Sequence, residues 1–113
     1  EKARLSGAKE VWATERGNMF GYNNLIVDFR NLPAMKQFAD RVIMDCTHVL
    51  QTPGGEGSSS GGNNALAKEM AYAAMAFGAD GYFFEVHTDP QMAKSDKGCI
   101  VAVDDFEQIV AGL

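Results

Sequence analysis

Short apolar runs alternate along this chain with segments of helical period, and polar groups gather where the runs end. Val11 to Thr14 is apolar and β-prone and stops at Glu15-Arg16-Gly17. A turn signal follows at Gly21-Tyr22-Asn23-Asn24, then Leu25 to Asp28. Pro33 suits the first turn of a short helix with Ala34, Met35, Phe38 and Ala39 as its apolar side. A second buried strand is predicted over Val42 to Thr47, and its period of two sets Met44, Cys46 and His48 on one face. Asn63-Asn64 reads as the cap of a helix over Ala65 to Phe77, with Leu66, Met70, Ala73-Ala74 and Phe77 as one buried stripe and Gly78 as its stop. Gly81 to His87 is a third strand, apolar on both faces apart from Glu85 and His87, with Phe83, Glu85 and His87 on a shared side. Asp89-Pro90 opens a short helix through Ala93, Cys99 to Val103 is apolar, and Asp104-Asp105 starts a last helix over Phe106 to Leu113.

One segment breaks the alternation. Thr52 to Gly62 holds five glycines and three serines in eleven residues, a composition that predicts no regular element. A linker would need two domains, and the length allows one. The segment therefore reads as a ligand loop whose backbone N–H groups can approach phosphate oxygens.

The order strand, polar tip, loop and helix, repeated, is that of a parallel α/β sheet or barrel with its site at the strand carboxyl ends. Three strands cannot close a barrel, so residues 1–113 are read as a single partial barrel domain. The opening Glu1 to Arg4, without an initiator Met, fits the interior of a longer chain. A net charge of −5 argues against a nucleic-acid surface, and no apolar run is long enough for a membrane span. Two cysteines, Cys46 and Cys99, are too few for a disulfide framework, read as small core residues, and point to a reducing cytoplasm.

Arg16, at the exit of a buried strand, can hold a phosphate or carboxylate through its planar fork; a solvated surface arginine is the plainer alternative. Glu85 inside an apolar strand needs a partner or a metal, because burying a lone carboxylate is expensive.

Taken together, Thr14-Glu15-Arg16-Gly17, Phe20 to Leu25, Asp45-x-Thr47-His48-x-x-Gln51, Pro53-Gly54-Gly55, Ser60-Gly61-Gly62, Glu85-Val86-His87 and Ser95-Asp96 stand in one order over nearly the whole chain. They resemble the carboxyl-terminal part of the 3-deoxy-D-manno-octulosonate 8-phosphate synthases (2-dehydro-3-deoxyphosphooctonate aldolases). The related 3-deoxy-arabino-heptulosonate 7-phosphate synthases share the Glu-Arg-Gly and Glu-Val-His elements and are the alternative, as is a non-catalytic barrel fragment. The resemblance implies the sixth to eighth strands of a (β/α)8 barrel, without the N-terminal half. It implies condensation of phosphoenolpyruvate with D-arabinose 5-phosphate and water, on the route to lipopolysaccharide, by a homo-oligomer (a tetramer) that binds neither nucleic acid nor membrane.

By the same resemblance Arg16 holds phosphoenolpyruvate, Gln51 and Asp96 orient the sugar near its aldehyde, Ser60 binds the sugar phosphate, and Asn24 belongs to the substrate-binding set. His48, Glu85 and Asp96 are the implied catalytic residues. In the metal-dependent branch they bind a divalent cation (Zn, Fe or Mn) with a cysteine from the first strand, which neither Cys46 nor Cys99 matches. The metal-independent branch keeps the three and has asparagine in place of that cysteine; the Gln51 to Gly55 segment is closer to the metal-dependent branch. No organic cofactor is implied.

Overall fold

Two aspartates forty residues apart, Asp40 and Asp80, begin successive units of the fold in the same way. Asp40 accepts a hydrogen bond from the backbone N–H of Val11 at 2.7 Å, and Asp80 accepts one from Val42 at 2.8 Å. In return the Asp40 N–H donates to the Val11 carbonyl and the Asp80 N–H to the Val42 carbonyl, each at 2.8 Å. Each aspartate thus joins the start of its own strand to the start of the strand before it. These backbone bonds hold both carboxyls below their ordinary range, with Arg4 and Lys36 adding to the effect.

The computed structural model describes every residue except Gly57 and Ser58, and every side chain outside residues 55–60. After a short helix α1 (Lys2–Leu5) come β1 (Trp12–Glu15), the hairpin β2 (Asn18–Gly21) and β3 (Asn24–Ile26), and α2 (Asn31–Met35). Then follow β4 (Arg41–Asp45), β5 (Gln51–Glu56), β6 (Ser59–Gly62) and α3 (Ala67–Ala76). The chain finishes with β7 (Gly81–Phe83), β8 (Val86–His87), β9 (Val101–Ala102) and α4 (Val103–Val110). β1, β4 and β7 pair in that order, all parallel, with Thr14 beside Ile43 and Ile43 beside Gly81.

The third strand is interrupted. Glu85 turns its N–H away from the ladder to the Thr47 hydroxyl, while its carbonyl accepts from Val101 at 3.0 Å. Beyond the break β8 pairs with β9 in parallel, so Cys99 to Val103 contains a fourth strand that its apolar composition alone did not distinguish.

Helices cover one side of the sheet. Val42, Met44 and Cys46 point there and pack with Leu32, Ala67, Ala71, Ala74, Val101 and Ile109. Each fully buried large side chain, such as Leu32 or Met44, contributes ~1.5–3 kcal/mol of burial. The opposite side is open: Trp12, Thr14, Ile43, Gly81 and Phe83 line a groove of about 430 Å³, in the position of a barrel interior.

Several expectations change. The predicted α3 stripe holds at Ala74 and at Met70, which packs against the core, but it is rotated toward Ala67 and Ala71, whereas Leu66 and Phe77 are nearly half exposed. Alanines on the sheet side let the helix approach closely, which the larger residues would prevent. Asn63 and Asn64 make no side-chain cap; the Asn64 amide donates to the Ile100 carbonyl instead. α2 ends at Met35, too short to carry a stripe to Phe38, which is 80% exposed; Leu32 is its buried residue. Outside Gly57 and Ser58 the glycine segment is regular rather than a loop: β5 and β6 pair antiparallel, Gln51 with Gly62 and Thr52 with Gly61.

Candidate functional site

β4 ends at Asp45 and the chain does not continue straight. Thr47 takes a helical conformation (φ −109°, ψ −55°) and His48 to Leu50 form one turn of 3-10 helix. The period of two stops there. Met44 and Cys46 stay in the core, so His48 does not share their side; it swings back over Asp45. This corrects the facing expected from alternation.

Asp45 is buried and its Oδ1 accepts from the Thr47 N–H, the Thr47 hydroxyl and the His48 N–H at 3.1, 3.2 and 2.9 Å. Its Oδ2 lies 2.8 Å from His48 Nδ1. On the other side of the ring, His48 Nε2 is 3.0 Å from Glu85 Oε2. The ring also leans on Phe83, with centroids 5.6 Å apart.

Asp96 arrives from the turn after the last short helical segment, in a left-handed conformation (φ 54°). That conformation is sparsely populated by residues other than glycine, and aspartate is among those that tolerate it best. The Asp96 carboxylate accepts from the Gln51 amide, and the Gln51 oxygen accepts from Arg16 at 3.4 Å. Arg16, Gln51 and Asp96 therefore form one connected row leading to His48 and Glu85.

Glu15 prepares Arg16. Its buried carboxylate accepts from the Gly17 N–H at 2.6 Å and from the Asn31 amide at 2.8 Å, which sets the turn out of β1 and ties it to α2. Gly17, at φ 81°, makes that turn against Leu25 and Val49.

His48, Glu85 and Asp96 each present one ligand atom, all within 4.8 Å of one another. A neutral imidazole carries one N–H, yet both ring nitrogens face carboxylates. With the proton on Nδ1 toward Asp45, Nε2 and Glu85 Oε2 are two acceptors at 3.0 Å, and Oε2 is buried without a hydrogen-bond donor. An unpaired buried oxygen costs roughly 1–3 kcal/mol. A cation at this point satisfies both atoms, and one imidazole with two carboxylates is a donor set suited to Zn, Fe or Mn. Neither thiol is part of this group of ligand atoms, and burial pushes Cys46 up to about 12 and Cys99 up to about 11.

Two other residues singled out in the sequence stand apart. Asn24 is exposed at the tip end of the β2–β3 hairpin, and His87 accepts from the Asp89 N–H within its own turn. The side chain of Ser60 lies outside the described residues. Glu15, Asp45 and Thr47 stand in the motifs Glu15-Arg16-Gly17 and Asp45-x-Thr47-His48, but the sequence assigns them no individual role in the site. The available signal was local: aspartate and threonine directly after a strand readily bond to backbone N–H groups a few residues on.

Comparison with known proteins places this geometry. The family model for the DAHP synthetase I family matches residues 1–112. The chain is 46% identical over 114 residues to the 2-dehydro-3-deoxyphosphooctonate aldolase of Desulfosudis oleivorans, covering 100% of this chain and 41% of that protein. The protein of the same name from Rickettsia prowazekii is 43% identical over 113 residues, with the same coverage of 100% and 41%. The chain thus spans about two fifths of the length of these relatives.

Among solved structures, the phospho-2-dehydro-3-deoxyheptonate aldolase (DAHP synthase) of Thermotoga maritima superposes with a TM-score of 0.70 at 24% identity, over 88% of this chain and 27% of that one. A truncated form of the Thermotoga maritima 3-deoxy-D-arabino-heptulosonate 7-phosphate synthase superposes with a TM-score of 0.76 at 24% identity, over 96% and 38%. These likenesses show the fold, part of a (β/α)8 barrel. With matched sequence over nearly its whole length and parallel strands β1, β4 and β7 whose polar ends converge, the chain belongs to the DAHP synthetase I family.

Proposed function

We propose that the protein carrying this chain condenses phosphoenolpyruvate with D-arabinose 5-phosphate and water, giving 3-deoxy-D-manno-octulosonate 8-phosphate and inorganic phosphate. The observation that carries this reading is the convergence of Arg16, Gln51, Asp96, His48 and Glu85 at one end of a parallel sheet. The relatives named 2-dehydro-3-deoxyphosphooctonate aldolase, 43–46% identical along the chain, support an eight-carbon product.

In this reading C3 of phosphoenolpyruvate attacks the sugar aldehyde, water adds at C2, and phosphate leaves with its bridging oxygen as the C–O bond breaks. Arg16 is exposed and makes one side-chain hydrogen bond among the described residues, so its remaining N–H groups are available to a carboxylate or phosphate. Gln51 and Asp96, already bonded to each other, orient the aldehyde end of the sugar. His48 and Glu85 hold the other wall. A divalent cation held by His48, Glu85 and Asp96 would supply a Lewis acid for the aldehyde oxygen or the attacking water. Ser60 takes the sugar phosphate, and Asn24 lies in β3, which packs along the β5 strand of the glycine hairpin.

The remaining strands of the barrel complete the site over the open groove beside Trp12 and Phe83. The protein works as a homotetramer in the cytoplasm, on the route to lipopolysaccharide. Two unpaired, buried thiols suit that compartment, and Met19, Phe20 and Tyr22 on the β2–β3 hairpin offer exposed apolar surface for subunit contact.

The test is phosphate release from phosphoenolpyruvate with either arabinose 5-phosphate or erythrose 4-phosphate as acceptor. Turnover with the pentose, reduced at least tenfold in His48→Ala and in Glu85→Ala, is the expected result. Preference for the tetrose would assign the heptulosonate reaction instead, and no turnover with either would make this a non-catalytic barrel segment.

A further inference from the structure

We propose that Asp45 and Thr47 are a positioning pair that sets both His48 and Glu85, so that one buried carboxylate and one buried hydroxyl hold two ligands that belong to different strands. Asp45 is 4% exposed and Thr47 is fully buried, and neither belongs to the group of three ligand residues. Asp45 Oδ2 lies 2.8 Å from His48 Nδ1, and with the ring proton held on that nitrogen the Nε2 lone pair is directed at the Glu85 side. Its other oxygen closes the turn through the N–H groups of Thr47 and His48. Ring orientation and backbone are therefore set by the same group.

Thr47 extends the control to the neighbouring strand. Its hydroxyl donates to Asp45 Oδ1 at 3.2 Å and accepts from the Glu85 N–H at 3.1 Å. That second bond occupies the N–H that Glu85 withdraws from the sheet, so it stands where β7 gives way to β8. The order Asp45 carboxylate, Thr47 hydroxyl, Glu85 N–H is continuous. Loss of the hydroxyl leaves a part-buried N–H without that acceptor at the residue that must present its carboxylate.

This inference rests on the reading of His48, Glu85 and Asp96 as a cation site, and the experiment separates the two. Zinc affinity is measured on the intact protein by competition with a chromogenic chelator, for wild type, His48→Ala, Asp45→Asn, Thr47→Val and Thr47→Ser. In parallel, ring 15N shifts of the chain's two histidines are recorded without metal.

His48→Ala is expected to weaken zinc at least tenfold; unchanged affinity would remove the cation site itself. Given that loss, Asp45→Asn and Thr47→Val are each expected to weaken zinc about 10–100-fold. Thr47→Ser, which keeps the hydroxyl, stays within a few-fold of wild type. In wild type the His48 shifts should show the proton on Nδ1, and Asp45→Asn should change them while those of His87 stay put. Affinities within twofold of wild type for both Asp45→Asn and Thr47→Val, with His48→Ala impaired, would overturn the positioning role. So would a His48 proton found on Nε2 in the wild type, which needs no variant to fold.

Discussion

Replacing Gly98 by alanine tests how the Asp96 turn is held. A Cβ built on Gly98 lies 2.5 Å from the Gly62 nitrogen and 3.1 Å from both the Gly61 carbonyl carbon and the Gly62 Cα. All three are backbone atoms, in the β6 strand that closes the glycine hairpin, so no side chain can rotate aside. Gly98 is not in the left-handed region, so the substitution on its own would stabilise by ~0.4–1 kcal/mol through the unfolded chain. Overpacking against fixed neighbours costs ~1–3 kcal/mol, and the collision wins. The expected net loss is ~1–2 kcal/mol, or a melting temperature lower by roughly 2–8 °C in a protein of the relatives' length.

Gly81→Ala is the matched control. Its Cβ meets the Ile43 Cδ1 at 2.9 Å, but that methyl is the end of a flexible side chain facing the open groove and can swing away. Thermal unfolding followed by circular dichroism should rank wild type and Gly81→Ala together, with Gly98→Ala clearly below. Gly98→Ala melting at or above the wild type would refute the close backbone approach. Equal losses in both variants would refute the distinction between backbone and side-chain obstacles.

Stability should also depend on Asp80 in acid. Its carboxyl is depressed mainly by the Val42 N–H and then by Lys36, so its contribution is complete above the unfolded value near 3.8 and is lost as pH falls through the lower folded value. Asp80→Asn, whose amide oxygen can still accept from Val42, should therefore be less stable than wild type at neutral pH, with the gap narrowing below about pH 4; urea midpoints showing a constant gap would contradict this. At the tip of the first hairpin, Tyr22 and Asn23 both have φ 57°, and the Tyr22 side chain is 96% exposed. Tyr22→Asn should gain about 1 kcal/mol by relieving a left-handed aromatic residue, read as a higher melting temperature. A lower one would mean the ring packs in the assembled protein.

What the chain order establishes by itself is the succession of strand, polar tip and helix, because those signals are local. Val42 to Asp45 is buried on its helix-facing side whatever precedes it, Gly78 ends α3 at φ 79°, and Asp89 caps the turn at Pro90 through the Gln91 N–H. The residue types that can hold a cation or an anion are equally visible, since Arg16, His48, Gln51 and Glu85 stand at or just past the ends of apolar runs and Asp96 sits in a polar turn.

Their meeting is another matter. His48 and Asp96 are far apart in sequence; parallel pairing of β4 with β7 sets the first beside Glu85, and the turn between β8 and β9 returns the second to the same place. Periodicity also fails at the places that matter most. One residue in a helical conformation, Thr47, turns His48 off the face it would share with Cys46. A hydroxyl on the neighbouring strand draws the Glu85 N–H out of the ladder. The glycine segment becomes a hairpin through pairings that its composition does not encode, and Gly62 then meets Gly98 closely enough to exclude a methyl group. A repeat of two or of 3.6 describes a regular element; the site is built where the elements end, and there tertiary hydrogen bonds and backbone contacts choose the direction of each side chain.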